Sequence, residues 1–203
     1  MKKLKNIPQW LTEMPRKVKE REQWFQSLTR EKARIAILFD AYELVRLQRI
    51  FLETGSYVNV HQTTSFSDDY IFNDVLEKTS GRSFLNKPNK ELQCNVCHLG
   101  AMLCSWTHFN NKHSLFDLRE HSHKSEIHEQ LDKYFTAEEL QLFETIFEGT
   151  DYLEDFYVYV DVDILNDDFI ASERFEILVT HLIETGCPED NLEALVPIEF
   201  IPQ

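Results

Sequence analysis

The chain has 203 residues, 42% of them hydrophobic and 12% aromatic, with only five glycines; that composition suits one packed domain and argues against disordered and fibrous classes. Its net charge of −14 is segregated: residues 1–34 hold ten Lys/Arg against four Glu, whereas residues 134–173 hold twelve Asp/Glu and no Lys, Arg or His. So acidic a stretch repels a phosphate backbone, which disfavours direct nucleic-acid binding through the acidic half and leaves a protein as the expected partner. The basic end can meet an acidic partner or the chain's own acidic half.

Met1–Lys19 lacks an apolar run of signal-peptide length, and the apolar stretch Ile35–Leu52 is interrupted by Asp40, Glu43, Arg46 and Arg49. Neither export nor a membrane span is expected. Four cysteines, two of them three residues apart, do not form the pattern of a secreted disulfide framework, so a reducing, cytoplasmic setting is expected. Residues 1–28 read as a basic, partly mobile segment and 29–203 as a single globular domain.

In chain order, apolar periodicity predicts a long helix from about Thr29 to Thr54, stopped by Gly55. A second runs from Ser67 as N-cap to Gly81. Residues 82–93, with Pro88, read as a connecting loop. A helix carrying the Cys/His region comes next. Thr136-Ala-Glu-Glu139 is a capping box opening a helix that Gly149 closes, and the last helix, Ser172 to Thr185, is closed by Gly186. Between Phe156 and Ile164 apolar and polar residues alternate with the period of a half-buried strand, for which Ser56–His61 and Ala194–Ile201 are candidate partners. The expected fold is mainly α, or α+β: a helical body of about five to six helices with a small sheet.

The strongest chemical feature is Cys94-Asn-Val-Cys97-His-Leu-Gly100-Ala-Met-Leu-Cys104-Ser-Trp-Thr-His108-Phe. At 100° per residue, Leu99, Met102, Leu103, Trp106 and Phe109 fall on one side, and Cys97, Ala101, Cys104 and His108 on the other, so this helix has two faces to bury. Gly100 flanks the small-residue stripe, where its missing side chain admits a second backbone or a ligand. Six of the eight histidines lie between His98 and His128, which raises a metal site. Cys97 and His108 are about 16 Å apart on one helix, too far to share an ion. A zinc site at Cys94 and Cys97 would instead draw on His113, His121, His123 or His128; no cofactor is certain, and zinc is the one this set would take. Alternatively, a helix N-terminus lowers a thiol's pKa, making Cys97 a candidate nucleophile with His181 or His61 as its imidazole. A thioredoxin-like redox pair is disfavoured because Asn86–Gln93 has no strand character.

Cys94-Asn-Val-Cys97-His-Leu-Gly100-Ala-Met, with Phe135-Thr-Ala-Glu-Glu-Leu-Gln-Leu-Phe-Glu144 and Arg174-Phe-Glu-Ile-Leu-Val-Thr-His-Leu-Ile-Glu-Thr-Gly186, resembles a group of small uncharacterised bacterial and phage proteins. Its members look alike in a C-x-V-C-x-x-G-A helix followed by two further helices. The resemblance implies no known activity and transfers no catalytic residue; it draws attention to Cys94, Cys97 and Gly100.

Two sets of carboxylates remain. Asp40 shares a helix face with Ile37, Leu44, Leu47 and Phe51, so it is a candidate buried acid, either catalytic or hydrogen-bonded to a Tyr, Trp or His. Asp161, Asp163, Asn166, Asp167 and Asp168 cluster as oxygen ligands do, but without the glycine and glutamate of an EF-hand. Walker A, G-x-G-x-x-G, H-E-x-x-H and G-x-S-x-G motifs are absent from the sequence. The leading expectation is a non-enzymatic binding or regulatory protein, in a sharper form a mimic of nucleic-acid charge through residues 138–168. The alternative is a small enzyme with a cysteine nucleophile or a Cys/His zinc.

Overall fold

A computed structural model describes residues 4, 6–55, 57–63, 69–87, 90–120, 124–148, 170–189 and 191–200. Among them are ten α-helices and a three-stranded mixed sheet, so the expected class holds while the helix count is higher than expected. The helices are α1 (Gln9–Thr12), α2 (Val18–Gln26), α3 (Arg30–Arg46), α4 (Asp69–Lys78), α5 (Gly81–Asn86), α6 (His98–Asn110), α7 (Leu115–Glu120), α8 (Lys124–Leu131), α9 (Ala137–Glu148) and α10 (Ala171–Thr185). The strands are β1 (Phe51–Leu52), β2 (Val58–Gln62) and β3 (Leu92–Val96). No described helix is long and apolar enough to cross a membrane.

At the centre α3 packs against α6, and both are buried nearly all round. Thr29 caps α3 by accepting the Lys32 amide, with Glu31 in the first turn and Arg46 in the last, each favourable to the helix dipole. Gln48, at φ 56°, turns the chain out of the helix well before Gly55. The predicted helix to Thr54 is therefore too long: Phe51 and Leu52 leave it to pair with Asn95 and Val96 of β3.

The Asn86–Gln93 stretch and the residues after it also differ from expectation. Leu92, Cys94 and Val96 point inward in alternation and form the central strand, parallel to β1 and antiparallel to β2, with Val58 opposite Val96 and Gln62 opposite Leu92. Only five residues long, this strand shows its period through Cys94, which counts weakly as apolar in a sequence reading. Within the predicted loop lies α5, whose N-cap Ser80 accepts the Ser83 amide; Gly81 thus opens a helix and does not close one. Of the predicted strand partner Ala194–Ile201, the described residues 194–200 lie in two 3-10 turns, Glu193–Leu195 and Ile198–Phe200, with Pro197 between them. Phe156–Ile164, the Asp161–Asp168 cluster, Ser67 and Gly149 lie outside the described residues.

Residues 6–28 fold onto the helical body. Leu11 and Phe25 enter the core, Phe25 stacks on Phe109 at 4.3 Å between ring centroids, and Trp24 lies between Trp10 and Phe109.

Gly100 joins sheet to helix. A Cβ placed there would lie 1.6 Å from the Tyr57 carbonyl oxygen and 2.6 Å from its carbon, so the backbone leading into β2 rests directly on α6, the close approach that its small side predicts. The obstacle is backbone and cannot rotate away. Gly100→Ala is expected to cost about 3 kcal/mol or more, at or beyond the upper end of ordinary overpacking, and urea unfolding measures it.

Candidate functional site

Of the residues singled out for chemistry, Cys97, Cys104 and His108 belong to α6 and its cap, and Cys94 and Asp40 pack beside them, all five buried; His61, His113, His128 and His181 are half-buried. Cys97 is the N-cap: its Sγ accepts the Gly100 amide at 3.5 Å. Its thiol is 2% exposed, and burial, with Glu148 and Glu144 adding to it, outweighs the Gly100 and Leu99 amides and pushes its pKa up to about 12. A helix N-terminus normally activates a thiol; here desolvation wins, and Cys97 is held protonated at neutral pH. Cys94 faces inward from β3 and meets Cys104 of α6 through a thiol hydrogen bond, which together with burial drives the Cys104 pKa well up. All four cysteines are free and buried. The C-x-x-C pair therefore comes from a strand after all, with Cys94 inside it and Cys97 at the turn into the helix.

His181, proposed as the imidazole partner, instead donates from Nε2 to the Ala194 carbonyl at 2.9 Å and ties α10 to the first 3-10 turn. His61 lies half-buried on β2, opposite Gln93. Of the metal candidates, Cys94 and Cys97 are the strand and cap thiols, His113 packs its ring on Trp106, His128 sits in the last turn of α8, and His121 and His123 lie outside the described residues. Among the described residues no group of three or more His, Cys, Asp or Glu could hold a metal ion.

What the structure does bring together is Asp40 and His108. His108 Nδ1 lies 2.9 and 3.1 Å from the two Asp40 oxygens, and the pair is buried between α3 and α6. Arg21 of α2 closes the other side, its Nη1 2.6 Å from Nε2 and 3.3 Å from Nδ1. A carboxylate only accepts, so the ring carries a proton on Nδ1 and gives it to Asp40, while the two Nη1 distances place the Arg21 guanidinium against the face of the ring. A carboxylate-oriented imidazole is the arrangement of a general base, but this ring is buried, with Arg21 packed against it.

Two further polar features were not anticipated. Arg34, fully buried on α3, binds Glu139 through both nitrogens at 2.9 and 2.7 Å, donates to the Tyr134 carbonyl at 3.0 Å and to Cys187 Sγ at 3.2 Å, and lies 4.9 Å from the centre of the Phe135 ring. Glu139 simultaneously accepts the Thr136 amide at 2.8 Å while Thr136 Oγ1 accepts the Glu139 amide, the capping box read from the sequence. The second feature is His98, wholly buried at the start of α6 beneath Phe143, Phe147 and Phe175, with neither ring nitrogen hydrogen-bonded. The available signals were an arginine inside the apolar run Ala33–Leu38 and the i, i+4 phenylalanines of α9.

These features define a helical body built around one central helix, with its polar chemistry turned inward. Compared with protein-family models, curated proteins and solved structures, the chain matches none of them.

Proposed function

We propose that this chain is a non-catalytic binding protein that engages a basic protein partner through its acidic C-terminal half. The observation that carries this reading is the uncompensated charge: −14 overall, with no basic residue between positions 134 and 173. Several arginines that would offset it are engaged at home, Arg34 with Glu139, Arg30 with Glu189, Arg82 with Glu22 and Arg46 with Glu43. Glu138, Glu173 and Glu184 are exposed on α9 and α10. The inward placement of Cys94, Cys97, Cys104, Asp40 and His108 supports structural over catalytic use of those groups. Four unpaired thiols support a reducing, cytoplasmic setting. In its sharper form the proposal has residues 138–168 stand in for phosphate charge, making a nucleic-acid-binding protein the partner.

The test is titration of the full chain against a basic DNA-binding protein, with and without duplex DNA. Binding at about 50 mM salt that weakens steeply by about 300 mM and displaces DNA is the expected result. No binding at low salt, or binding indifferent to salt, overturns the proposal.

A further inference from the structure

The contact between Arg21 and His108 links the N-terminal helices to a titratable group in the interior. The groups facing this imidazole come from several elements. Asp40 reaches it from α3 and Arg21 from α2; Arg82 of α5 lies close enough to Arg21 to disfavour its charge and is itself paired with Glu22 of α2 at 3.1 Å; Cys104 lies near Asp40 on α6. With His108 neutral, two cations (Arg21 and Arg82) balance two anions (Asp40 and Glu22). Arg21 also donates from Nε to the Pro15 carbonyl at 3.1 Å and from Nη2 to the Arg16 carbonyl at 3.4 Å, so this one guanidinium fastens the α1–α2 connection to α6.

We infer that His108 and Arg21 form a proton-operated latch: uptake of a proton by His108 expels Arg21 and frees the α1–α2 connection from α6. Protonation gives the ring a positive charge directly beneath the Arg21 guanidinium, whose Nη1 lies 2.6 Å from Nε2 and 3.3 Å from Nδ1, so two cations face each other in close contact. Asp40 continues to hold Nδ1, so the imidazolium stays in place and the mobile partner is Arg21, whose side chain comes from the more exposed helix. Two cations against Asp40, with Arg82 beside them, leave the buried cluster with an excess positive charge, which departure of Arg21 relieves. Release exposes the Arg16–Trp24 backbone while the Phe25–Phe109 stack retains the end of α2. This is a local opening and leaves the fold intact.

The test tracks amide protection factors of Arg16–Trp24, the indole N–H resonances of Trp10 and Trp24, and the His108 ring resonances of the full chain by NMR from pH 8 to 5, with far-UV circular dichroism as a check on the fold. In the native chain, protection is expected to fall about tenfold in step with the His108 resonances while the circular dichroism is unchanged. Arg21→Gln is expected to show low protection at pH 8 and no step. His108→Gln is expected to keep the protection and lose the step; should it not fold, Arg21→Gln decides. Titration of His108 without a change at Trp24, no titration of His108 across the range, or a step that survives in Arg21→Gln each overturns the latch.

Discussion

Replacing Glu139 by Gln is expected to cost about 3 to 5 kcal/mol, read as a lower urea midpoint at unchanged slope. Arg34 has no exposed surface, and Glu139 carries the compensating charge at 2.7 and 2.9 Å, with Glu189 only at 4.0 Å. Neutralising Glu139 leaves a cation in the core held by the Tyr134 carbonyl, the Cys187 sulfur and the Phe135 ring, which do not replace a full counter-charge. The penalty arises from the orphaned charge, so it is largely relieved when both charges go. Arg34→Met/Glu139→Met is expected to recover all but about 1 to 2 kcal/mol, the remainder reflecting the lost cap on the Thr136 amide. A single-variant cost below about 1 kcal/mol would show that the pair is not the tie between α3 and the start of α9 that its geometry describes.

The second large effect is acid sensitivity centred on His98. Burial alone, with no hydrogen bond to either nitrogen, pushes its pKa down to about 3. An unfolded histidine titrates near pH 6.5. The unfolded chain therefore binds this proton first, and stability is lost as pH falls from about 6.5 towards 3. The loss approaches on the order of 4 to 5 kcal/mol at the acid end. At neutral pH the two unsatisfied nitrogens already weigh against the fold. His98→Leu, close in volume and unable to take a proton, is expected to gain about 1 to 3 kcal/mol at pH 7 and to flatten this part of the stability profile. Urea midpoints of the two proteins at pH 7 and pH 4 give the comparison. Equal acid sensitivity in both would place the responsible protons elsewhere.

The two effects differ in what the sequence could disclose. Thr136-Ala-Glu-Glu139 declares a helix start because a capping box is local: four consecutive residues satisfy each other's amides, and the structure reproduces it. The same Glu139 bridging to Arg34 across 105 positions is written in no local pattern. Asp40 was legible as a buried acid from its helix face, and a histidine was among the partners expected for it. That the partner is His108, and that Arg21 lies over the ring, required the packing of α2 and α3 on α6. At Gly186, φ 80° at the end of α10 follows from the residue type alone, whereas Gly81 stands where an expected helix stop became the start of α5.

The sequence by itself determined the helical class with a small sheet, the doubly buried helix around Cys97–His108, the close approach at Gly100 and the asymmetric charge. All of these rest on periodicity, local capping or composition, which operate over a few residues or over the whole chain. Tertiary structure decided the rest. It drew Phe51–Leu52 and Leu92–Val96 into strands because each offered the other a ladder. It placed Cys97 deeply enough that desolvation overrides the helix N-terminus, enclosed His98 among phenylalanines, and paired Arg34 with Glu139. A side chain's charge state and hydrogen-bond partners depend on what is packed around it, and those neighbours come from distant parts of the chain.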